Sequence, residues 1–229
     1  MAQLEMTPVK TAIEKQVAEF HLLKHPFYQA WMTGSLSKAT LQDYAAEYYA
    51  HVRAFPRYVS AAHSQCESDE ARKLLLENLN DEEGVTYGTA HPELWLRFAE
   101  GLGCSREKVS ANQPRAAIRN VIETFLQLTR SSYPEALGAI YAYESQVPEI
   151  AASKIEGLVS NYGISDERTL SFFRVHEQAD IFHRRTLEAL INELDEEDEL
   201  RAGVAAKQAA RSLWDFLSDV KSEAERAAV

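Results

Sequence analysis

A chain of 229 residues with 45% hydrophobic and 26% charged content is long enough to bury one well-packed core and short for two, so a single domain over residues 1–229 is the expectation. Its formal charge of −11 leaves no basic footprint for tracking phosphates, which argues against a nucleic-acid partner. No apolar run approaches the ~20 residues that a membrane-spanning helix needs, the opening MAQLEMTPVKTAIEKQ lacks an apolar signal core, and Cys66 and Cys104 are too far apart for a CxxC site, so a cytoplasmic protein without a membrane partner is expected.

Glycine and proline are sparse, and the apolar residues between them recur at three and four rather than at two, which predicts helix throughout. A first helix is expected from Val9 to Lys24, broken by His25-Pro26, which starts a short one carrying Phe27, Tyr28 and Trp31 up to Gly34. Ser37 caps the next, with Leu41, Tyr44, Tyr48, His51, Val52 and Phe55 on its stripe, and Pro56 is expected to kink it. Ser68 opens a leucine-rich helix that reaches Asp81-Glu82-Glu83, pauses over Gly84 to Gly88 and resumes at His91 until Gly101 and Gly103. After a loop at Ser110 to Pro114 come Ile118, Val121, Ile122, Phe125 and Leu126, then an amphipathic stretch from Pro134 to Val159. Gly163 precedes a helix over Glu167 to Leu194, and a last one is expected to carry Val204, Leu213, Trp214, Leu217 and Val220 on its core stripe. With no fixed internal repeat, the expected architecture is an all-α, compact bundle of seven or eight helices.

The segment His176-Glu177-Gln178-Ala179-Asp180-Ile181-Phe182-His183 puts two imidazoles and a carboxylate, His176, Asp180 and His183, on one helical face. That donor set suits iron, manganese or zinc, and without cysteine it points to non-haem oxygen chemistry more than to structural zinc. Alone, it is equally well read as a polar surface stripe. Glu144, inside the apolar run AIYAYESQVPEI, would be a buried carboxylate in need of a cation. The Asp81-Glu82-Glu83 triplet and His91 supply a further carboxylate and imidazole, although an exposed acidic helix end is the bland reading there. Together these segments offer three carboxylates and three histidines, a set that two divalent ions would use fully. The paired Glu-x-x-His motif of ferritin-like bundles is absent, so a different helical scaffold with a histidine-rich set is expected.

HPFYQAW, EYYAHVRAFPRYVSAAHS, ARKLLLENLNDEE, YAYESQVPEIAASKI and HEQADIFH together resemble the family of the chlamydial protein associating with death domains. That family lies among the haem-oxygenase-like dimetal oxidases, within the thiaminase-like and pyrroloquinoline-quinone-synthesis superfamily; between Glu82 and His91 this chain is about two residues longer than its relative. The resemblance covers most of the chain and implies the ligands Glu82, His91, Glu144, His176, Asp180 and His183. It implies two iron ions or a manganese–iron pair, O2 as co-substrate, an external reductant and a homodimer. The implied activity is oxygen-dependent synthesis of para-aminobenzoate for folate from a tyrosine of the protein itself, with Tyr28 as the sacrificed residue, Lys154 as nitrogen donor, and Tyr44 and Tyr143 as pocket or radical-relay groups. On residues alone, Tyr28 beside Phe27 and Trp31 reads as core packing. Lys154 lies ten residues past Glu144, roughly 15 Å along a straight helix, so a bend at Pro148 or a mobile stem is required. His21, His25, His51 and His63 read as structural or surface histidines. Three alternatives stand beside this reading: a dimetal oxidase acting on an external small molecule, a metal-free thiaminase-like enzyme, and a non-enzymatic protein that binds death domains.

Overall fold

The computed structural model describes residues 8–85 and 88–227, and every regular element among them is helical. In chain order these are α1 (Pro8–Glu19), a 3-10 turn (Leu22–Lys24), α2 (Pro26–Met32), α3 (Lys38–Gln65), α4 (Asp69–Glu82), α5 (His91–Gly101), α6 (Arg106–Ser110), α7 (Ala116–Ser131), α8 (Tyr133–Glu144), α9 (Val147–Tyr162), α10 (Glu167–Asn192) and α11 (Glu196–Ala227). Local chemistry fixes many of the starts. The side chains of Ser37, Ser68, Ser105, Ser132 and Asp166 each accept from a backbone N–H three residues on, relieving a donor that the first helical turn leaves without a partner. His25 caps α2 through its ring, and Pro26 follows where a missing N–H costs nothing.

The helices outnumber the expected seven or eight because three segments divide more finely. The first helix stops at Glu19, and a 3-10 turn covers the rest of its expected length. The short α6 stands between Gly103 and the expected loop at Ser110 to Pro114, where no helix was expected. The stretch from Pro134 to Val159 is two helices, not one. Pro56, by contrast, lies inside an unbroken α3. Val204, expected on the core stripe of α11, is 58% exposed; the inner face of that helix is carried by Ala202, Ala205, Ala206, Ala209 and Ala210 instead.

α8 is buried on nearly every side and is enclosed by α3, α7, α10 and α11, the position that a helix apolar all round must take. At Gly138 a Cβ would lie 2.0 Å from the carbonyl oxygen of Ala202, so glycine there and alanines on α11 bring the two backbones together. α8 ends because Pro148 has no N–H to continue the ladder. Gln146 manages the break: its backbone N–H turns to the carbonyl of Tyr143, its side-chain amide donates to the carbonyl of Ala142 at 2.7 Å, and its Oε1 accepts from the N–H of Leu22 at 2.8 Å. The chain therefore leaves Glu144 at a helix end in the protein interior and sends α9 off to pack against α2.

Candidate metal centre

Four helices deliver the six expected side chains, and all six are buried. Glu82 is the last residue of α4 and His91 the first of α5. The link between them folds back at Gly84, whose φ is +73° and where a Cβ would stand 2.2 Å from the backbone nitrogen of Ala90. Glu144 closes α8, while His176, Asp180 and His183 share one face of α10. Glu82, His91 and His176 each offer a ligand atom within 4.8 Å of the others. Around His183, the Nδ1 atom stands 3.5 Å from Asp180 Oδ1 and 3.9 Å from Glu144 Oε2. The structure thus groups the six as two adjacent triads.

Orientation of the donors fits metal ions. His176 Nδ1–H donates to the carbonyl of Phe172 at 2.6 Å, leaving Nε2 as its free donor atom. His183 does the reverse: Nε2–H donates to Asp81 Oδ2 at 3.0 Å and Nδ1 faces the carboxylates. Asn78 donates to Glu144 Oε1 at 2.7 Å, leaving Oε2 over. His91 Nδ1 lies 2.9 Å from Glu82 Oε2 without the direction of a hydrogen bond, and Glu144 Oε2, Asp180 Oδ2 and His183 Nδ1 are buried with no hydrogen-bond partner. Unsatisfied polar atoms on convergent carboxylates and imidazoles are costly, and divalent ions would satisfy them all. His176, His183 and Glu144 thus each have an outer hydrogen bond of the kind that steadies a ligand. Asn78 and Asp81 were not singled out for this part by the sequence, although Asn78 sits one helical turn before Glu82.

The electrostatics show the same demand for cations. Burial pushes Glu144 up, repulsion from Asp180 adds to this, and the pull of His183 does not cancel it, so the carboxyl reaches about 8. Burial would also raise Glu82, but His91, His176 and His183 together hold it below the ordinary carboxylate range. His183 is driven up to about 10: burial opposes its charge, yet Asp180, Glu144 and Asp81 prevail. Glu82 likewise raises His91 against its burial. Imidazoles forced to stay charged beside carboxylates mark a place where metal binding would release protons.

An aromatic chamber adjoins the centre. Tyr28, Tyr48, Tyr143, Lys154, Trp95 and His176 line a residual cavity of about 20 Å³, enough for one molecule the size of water. Lys154 comes in from α9, and its Nζ–H donates to the hydroxyl oxygen of Tyr44 at 2.6 Å. The Nζ lies 5.3 Å from the ring centre of Tyr28 and 4.7 Å from that of Tyr44. With no carboxylate to offset it, burial holds the amine well below the usual lysine range. Burial likewise raises the phenols of Tyr28, Tyr44, Tyr48 and Tyr143. The gap of ten residues between Glu144 and Lys154 is resolved by the α8–α9 break, which lets both face the same interior. His51 is wholly buried among aromatic rings with neither nitrogen bonded.

Comparison with known proteins gives this arrangement a family. The sequence profile of a haem-oxygenase-like family described as iron-containing redox enzymes matches residues 42–215. The chain belongs to that family. A protein of Chlamydia muridarum named 4-aminobenzoate synthase is 43% identical over 198 residues, 86% of this chain and 83% of the relative. A 4-aminobenzoate synthase of Nitrosomonas europaea is 36% identical over 223 residues, 92% of this chain and 90% of the relative. Among solved structures, a TenA homologue from Pseudomonas syringae superposes with a TM-score of 0.82 at 16% identity, covering 97% of this chain and 98% of the other, which establishes the haem-oxygenase-like bundle. Among the described residues no helix is long and apolar enough to cross a membrane.

Proposed function

We propose that this chain is a 4-aminobenzoate synthase that builds its product from its own Tyr28, with nitrogen from Lys154, at a pair of iron ions or a manganese–iron pair, using O2 and an external reductant. The observation that carries the self-substrate reading is the chamber itself. Its residual volume of about 20 Å³ admits a diatomic molecule or a water and excludes an external ring or acyl chain, while a phenol and an amine already stand inside it. The two 4-aminobenzoate synthase relatives support the product.

Glu82, His91 and His176 would hold one ion, and Glu144, Asp180 and His183 the other. When bound, the metal pair supplies reducing equivalents to O2 and thereby an oxidant strong enough to attack a phenol. The chain's own groups prepare the reactants. Burial without a counter-charge disfavours protonation of the Lys154 nitrogen, which favours the form whose lone pair is available. Tyr44 fixes that nitrogen by the bond at 2.6 Å, and the surrounding rings exclude water that would compete for an oxidised ring. 4-Aminobenzoate is a tyrosine ring with an amine in place of the hydroxyl and a carboxylate at Cβ. The Cα–Cβ bond and the ring C–O bond of Tyr28 and the Cε–Nζ bond of Lys154 must therefore break while a ring C–N bond forms and O2 oxidises Cβ to the carboxylate, and each polypeptide acts once.

Protein grown with 15N-lysine, loaded with iron and given O2 and dithiothreitol, is expected to yield labelled 4-aminobenzoate, at most one per chain, and a Tyr28 peptide that has lost its side chain. Tyr28→Phe should abolish the product and keep the metal. Unlabelled product or repeated turnover on an intact polypeptide would return the reading to an external substrate.

A further inference from the structure

The oxidase reading needs electrons from outside, and the aromatic chamber has no room for a donor. On the opposite face of α3, Tyr49, Arg53, Arg57, Asn112 and Ile122 line an open groove of about 470 Å³, within the ordinary range for a cofactor-sized molecule. Ala46, Ala50 and Ala54 of α3 also line it, so small side chains leave the space. Arg53 and Arg57 are one helical turn apart and exposed, a repulsive pairing on a helix. Neither has a carboxylate within 4 Å among the described residues, although the chain carries a net charge of −11. Glu47, behind Asn112, already accepts from the Asn112 amide and the Arg115 N–H. The comparable groove between α9 and α10, about 480 Å³, differs in that its Arg184 is neutralised by Glu149 and Glu188.

Inside the groove wall runs a series of rings that ends at the metal centre. Tyr58 and Phe125 stack with centroids 5.1 Å apart, Phe125 meets His51 at 5.1 Å, and His51 meets Tyr143 at 5.3 Å. Tyr143 directly precedes Glu144 in sequence, and Arg57 and Ile122, which line the groove, directly precede Tyr58 and stand three residues before Phe125. The Tyr58 hydroxyl and both His51 nitrogens are buried without a hydrogen-bond partner.

We propose that this groove binds a small phosphorylated, planar reductant of the dihydroflavin mononucleotide type, which can release its two electrons singly, and that these reach the metal pair through Tyr58, Phe125, His51 and Tyr143. Arg53 and Arg57 take the phosphate as a two-guanidinium fork, and the planar ring lies along Tyr49 and the alanine floor. The donor loses two electrons, each metal ion gains one, and the protons released from the donor go to solvent. The proposal rests on the oxidase reading for its purpose, but its binding claim stands or falls alone.

Binding is measured on the metal-loaded full-length protein by fluorescence titration with flavin mononucleotide and with riboflavin, which lacks the phosphate. Saturable binding of flavin mononucleotide at least tenfold tighter than of riboflavin is expected. It should weaken at least tenfold in Arg53→Glu/Arg57→Glu and in the milder Arg53→Gln/Arg57→Gln, with the thermal melt and metal content of both variants unchanged. Under anaerobic conditions the rate at which the reduced form of the bound probe bleaches the oxidised metal centre should fall by a similar factor. No binding of flavin mononucleotide, no preference for the phosphate, or affinity that survives both double variants overturns the proposal. Absence of 4-aminobenzoate with dithiothreitol in the unaltered protein would instead count against the oxidase reading, since that reductant does not need the groove.

Discussion

Lys154 shows most clearly what a single residue costs and gives. Its amine is buried with one hydrogen bond, to Tyr44, and no counter-charge, so the fold disfavours its protonation while the unfolded chain does not. Between the lowered pKa of the fold and the ordinary lysine pKa of 10.5 the unfolded state therefore binds more protons, and stability rises with pH through that window. Lys154→Met, which fills the space without the amine, is expected to raise Tm at pH 7 by at least a few degrees, 1 kcal/mol being worth roughly 2–4 °C in a chain of this size. The advantage should shrink toward pH 10, as calorimetry across that range will show, and a melt indifferent to pH would mean the amine is not neutral in the fold. The same variant should form no 4-aminobenzoate. A stable protein without product separates a chemical role from a packing one. The neighbours of the centre are tested similarly: Asn78→Ala and Asp81→Ala remove the bonds that aim Glu144 and His183, and each should weaken metal affinity roughly 10–100-fold in equilibrium dialysis.

At the scale of elements, periodicity carried the α10 triad directly into the structure, because three residues at helical spacing need only a helix to share a face. Glu82 and His91 were harder to join, since their approach depends on a turn rather than a period. That turn requires Gly84, at φ +73° and with the Ala90 backbone nitrogen 2.2 Å from where a Cβ would sit. Gly84→Ala is expected to displace His91 from Glu82 and lose bound metal, while the melt of the metal-free protein falls by roughly 1–3 kcal/mol. Retention of full metal content would show that the link tolerates another path. The α8–α9 break escaped the sequence for a related reason: Pro148 signalled a bend, but the apolar pattern ran on through it. Only the bonds of Gln146 to Ala142 and Leu22 reveal that the chain stops, turns and brings Lys154 into the chamber. Asn78 was invisible because a polar residue on an amphipathic helix has no sequence mark telling which way it faces, whereas His51 fell on the apolar stripe of α3 and is buried there.

Across the whole molecule, the six buried donors come from α4, α5, α8 and α10, helices joined otherwise by apolar packing and a few polar links such as Asn78 to Glu144 and Asp81 to His183. α4 in particular has slight contact with α5 and α10, so ions gripped by Glu82 and by the α10 residues would tie it to the bundle. Binding to the folded chain alone adds stability by mass action, about 2.7 kcal/mol for each ion present at a hundred times its Kd. For a chain of this size that is roughly 5–10 °C in Tm per ion. Chelation of the iron-loaded protein should therefore lower Tm in this range and re-addition should restore it, and hydrogen exchange should show the largest loss of protection in α4 and the start of α5. In a Glu144→Ala/His176→Ala double variant the melt should become independent of metal. If the unaltered protein melts at the same temperature with and without iron, the two triads do not hold ions in the folded state, and the burial of three carboxylates beside three imidazoles would need another cause.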